Sequence, residues 1–188
     1  MKKQISILLS IIGALILAIG ILFYTKVLEI KQSNPSTVTP STFKLNTLNG
    51  KTFTISAENR KFKITGMEGK MVFLKIFGWD CAFCKKEIPE LIKLKNSLSH
   101  TFDVIAIEAQ NHSDKQSKEF IEKYGINYNI VSGKEHKNLY TYLQKQYGWE
   151  GIIPLTIVLS REGKVLAFEQ GSKSYSLSEL LKASLLKK

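Results

Sequence analysis

The sequence lacks the cysteines from which a small secreted protein builds a disulfide scaffold. Its 188 residues contain only two, Cys81 and Cys84, and no second Cys-x-x-Cys pair that could complete a four-ligand zinc site. After an apolar start, about 160 residues remain, which is enough to bury a core without covalent cross-links. The single close pair therefore favours redox chemistry, with an inert structural disulfide and a metal site left as alternatives.

Motifs for cofactors and nucleic acids are absent as well. A c-type haem attachment motif would need histidine at position 85, where Lys85 stands, and iron–sulfur clusters usually need more cysteines. The formal net charge is +11, but the lysines are spread along the chain and no RNA- or DNA-binding motif occurs. We therefore expect a solvated basic surface, no nucleic-acid partner, no metal and no cofactor.

The N-terminal segment contains no charge over residues 4–25. As a helix these residues would be about 33 Å long, enough to cross a bilayer core of about 30 Å. A cleaved signal peptide is the alternative, although residues 18–20 make a poor cleavage site. We predict a single transmembrane anchor at residues 1–25 and a polar, proline-containing flexible tether at residues 26–42.

Strand and helix patterns alternate along residues 43–188, which are expected to form the folded domain. Asn49-Gly50 predicts a β-hairpin with a primed turn near its start. The apolar run at residues 71–77 predicts a central strand buried on both faces. Further strands are expected at residues 102–109, 128–131, 155–159 and 165–169, and helices at 113–124, 135–147 and 178–186. This order predicts an α/β fold with a mixed central sheet flanked by helices.

The two cysteines stand at the start of another predicted helix, because apolar residues recur at helical spacing through residues 88–98. Cys81 would lie at the helix N-terminus, where unpaired backbone N–H groups and the helix dipole favour a thiolate. Lys85 acts in the same direction, whereas Asp80 opposes it. Cys84, one turn further along, is close enough to form a disulfide with Cys81.

These residues resemble the thioredoxin superfamily, and within it the membrane-anchored TlpA/ResA-like thiol–disulfide proteins of bacteria. The resemblance covers about residues 43–182. Residues 81–91 match the pattern C-x-x-C-x-x-E-x-P-x-L, residues 151–156 match G-x-x-P-x-T, and Gly163 fits the turn that follows. The resemblance implies a thioredoxin fold in which Pro154 is cis and Ile153 and Pro154 present backbone to a bound peptide. An ordinary strand-initiating proline is the alternative.

Two positions depart from the family pattern. Asp80 stands where relatives carry tryptophan directly before the first cysteine, and Lys75 stands where thioredoxins place a buried acid. Lys75 could modulate the thiols, or its amine could reach the surface along a buried stem. Glu87 is expected only to solvate its helix, and the three histidines are expected on the surface.

The predicted protein is a thiol–disulfide oxidoreductase, anchored in the inner membrane with its domain in the periplasm or otherwise outside the cytoplasmic membrane. Cys81 would attack a substrate disulfide and Cys84 would resolve the mixed disulfide. The resemblance implies a reductant of protein disulfides, such as those of apocytochrome c, driven by a membrane thiol–disulfide electron donor. A disulfide-forming oxidase and a non-catalytic peptide-binding module or holdase are the alternatives.

Overall fold

The computed structural model describes Leu17 and residues 19–22, 41–133 and 136–186. The chain divides into two compact units, Met1–Thr39 and Pro40–Lys188. In the first unit the few described residues are helical. Across the described ranges, no helix is both long and apolar enough to cross a membrane. The predicted anchor and tether lie almost entirely outside the described residues, so both remain expectations.

Among the described residues of the second unit, eight strands form two sheets. The smaller sheet is antiparallel and consists of β1 (Ser41–Asn46), β2 (Thr52–Glu58) and β3 (Lys61–Ile64). The central sheet has the spatial order β6 (Asn129–Val131), β5 (Phe102–Glu108), β4 (Met71–Phe77), β7 (Leu155–Leu159) and β8 (Val165–Gln170). In the central sheet β4, β5 and β6 are parallel, whereas β7 and β8 run antiparallel to their neighbours. The predicted mixed central sheet is confirmed.

Four helices follow the predicted positions to within two residues: α1 (Ala82–Leu98), α2 (Asp114–Tyr124), α3 (Lys137–Tyr147) and α4 (Leu177–Leu185). Capping boxes start α2 and α4, at Ser113 and Ser176 respectively. Each cap satisfies backbone N–H groups that would otherwise lack partners, which fixes where the helix begins. Glycines with left-handed backbone end α2 and α3.

The central strand β4 separates two hydrophobic cores. Because side chains alternate along a strand, Val72, Leu74 and Ile76 face the core shared with the small sheet and α3. Phe73 and Phe77 face the opposite core, which contains the buried sides of α1 and α4. All seven residues of β4 are buried, which confirms the strand predicted from its continuous apolar run.

The predicted primed turn at Asn49-Gly50 is wrong, although β1 and β2 do form a hairpin. Gly50 has a φ of 82°, but Asn49 does not have the positive φ that a type I′ turn requires at both central residues. The loop between β1 and β2 is longer than two residues. Within it, the Thr47 hydroxyl accepts a hydrogen bond from the Lys51 amide at 2.9 Å. The side chain of Thr47 thus organises the loop instead.

The two-residue turn occurs at Asn59 and Arg60, with φ values of 46° and 60°. It joins β2 to β3, and Glu58 pairs with Lys61 across it. Strand β3 was not predicted from the sequence, because this turn contains no glycine and the strand has only four residues.

Gly163, in the turn between β7 and β8, also links this hairpin to the small sheet, because its carbonyl accepts a hydrogen bond from the Phe62 amide at 2.7 Å. Its φ is 80°, and an added Cβ would lie 2.5 Å from the Phe62 carbonyl oxygen. We therefore expect Gly163→Ala to lower the free energy of unfolding by roughly 2–4 kcal/mol, measured by urea denaturation.

Gly148 provides the matched control. Its φ is 65°, but of the described residues none beyond its chain neighbours comes within 4 Å of an added Cβ. Gly148→Ala should therefore cost only the backbone strain, about 1 kcal/mol. Equal losses of unfolding free energy in the two variants would show that the close approach of Gly163 to Phe62 does not contribute to the effect of Gly163→Ala.

Candidate active site

Strand β4 leads the chain directly to the two cysteines. Cys81 is the N-cap of α1, with extended backbone, and its sulfur accepts a hydrogen bond from the Cys84 amide at 3.1 Å. The two sulfurs form a disulfide across a Cα–Cα distance of 5.2 Å. Cys81 is partly exposed, whereas Cys84 is only 3% exposed. Cys81 is therefore the sulfur that a large molecule can reach.

A buried tryptophan fixes the loop before the cysteines. Trp79 is completely buried, stacks on Phe120 with ring centroids 4.9 Å apart, and donates a hydrogen bond to the Ser117 hydroxyl at 3.0 Å. The next amide, of Asp80, donates to the Gln110 side chain at 2.7 Å. These contacts attach the loop to α2 and to the segment after β5, so the position of Cys81 depends on more than its own helix.

The peptide bond between Ile153 and Pro154 is cis. Leu155, the next residue, pairs with Ile76 near the C-terminal end of β4. Pro154 therefore lies at the same end of the sheet as the loop that carries the cysteines. The Pro154 carbonyl accepts a hydrogen bond from the Gly171 amide at 2.8 Å. The structure thus brings the second matched motif to the same end of the sheet as the cysteines.

Two large apolar side chains are exposed beside these motifs. Phe83, between the two cysteines, is 52% exposed, and Ile152, next to the cis peptide unit, is 48% exposed. Exposed aromatic and aliphatic side chains are common in surfaces that bind other proteins.

Lys75 is 1% exposed, so the alternative in which its amine reaches the surface is wrong. Alternation along β4 points its side chain toward α1, where Nζ lies 2.8 Å from the Glu87 carboxylate and donates to the Thr156 hydroxyl. Burial lowers the pKa of Lys75, and the charges of Glu87 and Glu90 oppose this shift.

The expectation for Glu87 is also wrong, because its carboxylate is only 19% exposed and pairs with Lys75. The only sequence feature that indicated a role for Glu87 was its place in the matched pattern at residues 81–91. The pairing was not predictable because the two residues belong to different elements, and their contact depends on how α1 packs on β4.

The two other predicted modulating residues lie close to Cys81. The Asp80 carboxylate is 67% exposed and lies 3.2 Å from His112 Nε2. Lys85 is partly exposed in the first turn of α1, and its amide donates to the Cys81 carbonyl at 3.1 Å. That Lys85 favours the Cys81 thiolate and Asp80 disfavours it remains a prediction.

The expectation that all three histidines lie on the surface holds only for His100. His136 is 7% exposed, and its Nε2 lies 2.7 Å from the Ser132 carbonyl oxygen. The His112 side chain is 15% exposed and lies between two carboxylates. The contacts of His112 were not predictable from the sequence, because this residue follows β5 in an irregular segment, where residue spacing gives no information about neighbours.

Comparisons with known proteins agree with this geometry. Residues 39–168 match the AhpC/TSA family. The thiol-disulfide oxidoreductase ResA of Bacillus subtilis is 27% identical over 177 residues, which cover 94% of this chain and 90% of the relative. ResA of Halalkalibacterium halodurans is 26% identical over 181 residues, which cover 95% and 93% of the two chains.

Solved structures show the same fold. StoA from Bacillus subtilis superposes with a TM-score of 0.54 at 19% identity, over 78% of this chain and 97% of StoA. A DsbF homologue from Corynebacterium diphtheriae superposes with a TM-score of 0.60 at 18% identity, over 82% and 96%. At these identities the similarity concerns the fold alone.

Proposed function

The chain belongs to the AhpC/TSA family and is a thiol–disulfide oxidoreductase with a thioredoxin fold, and we propose that it reduces protein disulfides outside the cytoplasmic membrane. The observation that carries this proposal is the unequal placement of the two sulfurs: Cys81 is partly exposed at a helix N-terminus, and Cys84 is buried behind it.

The exchange proceeds in two displacement steps. The Cys81 thiolate attacks one sulfur of the substrate disulfide, forms a mixed disulfide and releases the other substrate sulfur as a thiolate, which takes up a proton. Cys84 then loses its proton and attacks the Cys81 sulfur, which releases the second substrate thiol. Two electrons have passed to the substrate, and the protein is left with the disulfide seen in the structure.

The local geometry supports Cys81 as the attacking group. The Cys84 amide donates to the Cys81 sulfur, and a hydrogen bond to the charged form of a group favours that form. The N-terminus of α1 favours negative charge at the same atom. Cys84 lies among buried apolar side chains, which favour the neutral thiol until a mixed disulfide forms.

The proposed substrate site lies beside the cysteines. Ile153 and Pro154 would present backbone to an extended peptide, while the exposed side chains of Phe83 and Ile152 would contact apolar residues of the substrate. An unfolded or extended chain fits this arrangement, because its disulfide must approach the partly exposed Cys81. Apocytochrome c, whose Cys-x-x-Cys-His motif must be reduced before haem attaches, is the proposed substrate.

The proposed location depends on the N-terminal sequence. Residues 4–25 carry no charge and are long enough for a transmembrane helix, and the polar segment that follows would separate the domain from the bilayer. A domain outside the membrane cannot draw on cytoplasmic thiols directly. Its disulfide would therefore be reduced by a thiol–disulfide electron donor in the membrane.

The reduction potential of the purified protein tests the direction of the reaction. Asp80 adjoins Cys81, and a carboxylate at this position would disfavour the thiolate, destabilise the reduced state and lower the potential. We expect a value near that of thioredoxin, about −270 mV, measured by equilibration in glutathione buffers. A value near that of the oxidase DsbA, about −120 mV, would favour disulfide formation instead.

A further inference from the structure

A histidine and two carboxylates form a chain of contacts that ends at the residue before Cys81. His112 Nε2 lies 3.2 Å from the Asp80 carboxylate, and His112 Nδ1 lies 3.2 Å from the Glu108 carboxylate. Glu108 is completely buried at the end of β5, where it is paired in register with Phe77. The chain of contacts therefore connects the end of the central sheet with the cysteine loop.

Glu108 is fixed by backbone hydrogen bonds. Its carboxylate accepts from the Gln110 amide at 2.8 Å and from the His112 amide at 3.1 Å. These two bonds hold the carboxylate in one position at the end of β5. It thus provides an anchored acceptor for one nitrogen of the His112 ring.

The His112 ring thus lies between an exposed carboxylate and a buried one. The charged groups that face the ring are Asp80, from the loop after β4, and Glu108, from the end of β5, while α2 presents the edge-on ring of Phe120 at a centroid distance of 6.0 Å.

We propose that His112 is a positioning residue for the thiol chemistry, because its contact with the Asp80 carboxylate fixes the position of that group beside Cys81. Asp80 and Cys81 are neighbours in the chain, so a carboxylate released from His112 and free to approach the sulfur would disfavour the Cys81 thiolate. His112 acts through Asp80 and transfers no proton to sulfur. His112, four residues after the end of β5, thereby influences the reactivity of Cys81 at the start of α1.

This inference rests on the proposed role of Cys81 as the attacking thiol. Alkylation of the reduced protein tests the role of His112 and the identity of the attacking thiol separately. Iodoacetamide rates are measured against pH, and peptide mapping identifies the cysteine that reacts. We expect His112→Gln to raise the pKa of Cys81 and to slow its alkylation at pH 7 by about three- to tenfold. Asp80→Asn should have the opposite effect, and His100→Gln, at an exposed histidine, should change nothing.

The double variant His112→Gln/Asp80→Asn tests whether His112 acts through Asp80. If His112 acts through Asp80, then His112→Gln should change the alkylation profile little in the Asp80→Asn background. An equal effect in both backgrounds, or none in either, would overturn the role of His112. Reaction at Cys84 before Cys81 would instead contradict the proposed attacking thiol.

The variant Asp80→Asn covers the case in which His112→Gln does not fold, because the Asp80 carboxylate is 67% exposed. An alkylation profile that Asp80→Asn leaves unchanged would overturn the proposal.

Discussion

Cys84→Ser should accumulate long-lived mixed disulfides between Cys81 and substrate proteins in the native host. The first exchange step needs only Cys81, and the second needs the Cys84 thiol, so this variant stops between them. We expect higher bands on non-reducing gels after acid trapping, and these bands should collapse on reduction. Because reduction of the substrate is never completed, the yield of mature c-type cytochrome should fall to the level of a deletion.

Cys81→Ser is the matched control, since it keeps one thiol but removes the exposed one. It should form no mixed disulfides and should lower mature cytochrome equally. Apocytochromes among the trapped proteins would support the proposed substrate. Newly secreted proteins with structural disulfides, together with normal cytochrome, would favour an oxidase, and an absence of trapped proteins would favour a binding module.

Lys75→Gln should destabilise the domain and reduce the acidity of Cys81. The Lys75 amine is buried and pairs with Glu87, so its removal leaves a partly buried carboxylate without its cation. Breaking a buried ion pair in this way should lower the free energy of unfolding by roughly 3 kcal/mol. The uncompensated charge of Glu87, which follows Cys84 by one helical turn, should also raise the pKa of Cys81 and make the protein a weaker oxidant.

The double variant Lys75→Gln/Glu87→Gln is the control for both effects, because it removes both charges and retains polar groups that can bond to Thr156. It should recover more than half of the lost stability and return the pKa of Cys81 toward the original value. Stability is measured by urea denaturation of the oxidised protein, and acidity by alkylation against pH. An alkylation curve that Lys75→Gln leaves unchanged would mean that the ion pair does not influence the thiols.

Most of the fold was predictable because local signals agreed with the final packing. The apolar run of β4 indicated a strand buried on both faces, and the apolar spacing after Cys81 indicated the start of α1. Both patterns reflect a single element and its immediate neighbours. The turn at Asn59-Arg60 shows the limit of this approach, because neither residue type usually marks a primed turn as clearly as glycine does.

The polar surroundings of the cysteines were less predictable. Lys75, Glu87 and Thr156 come from a strand, a helix and a second strand, and only the packing of α1 on the sheet brings them together. His112 reaches Asp80 across two loops. Single-sequence reasoning identifies such residues by type and motif, but their partners depend on tertiary geometry.

The central claim, a reducing protein outside the cytoplasmic membrane, is tested most directly by labelling Cys81 in intact, growing cells with a membrane-impermeant maleimide. Cys81 is partly exposed, so it should react wherever the reagent can reach it as a thiol. The account predicts that most Cys81 is modified without added reductant and before lysis, as read by mass spectrometry of its peptide. Modification only after reduction, or only after lysis, would contradict it.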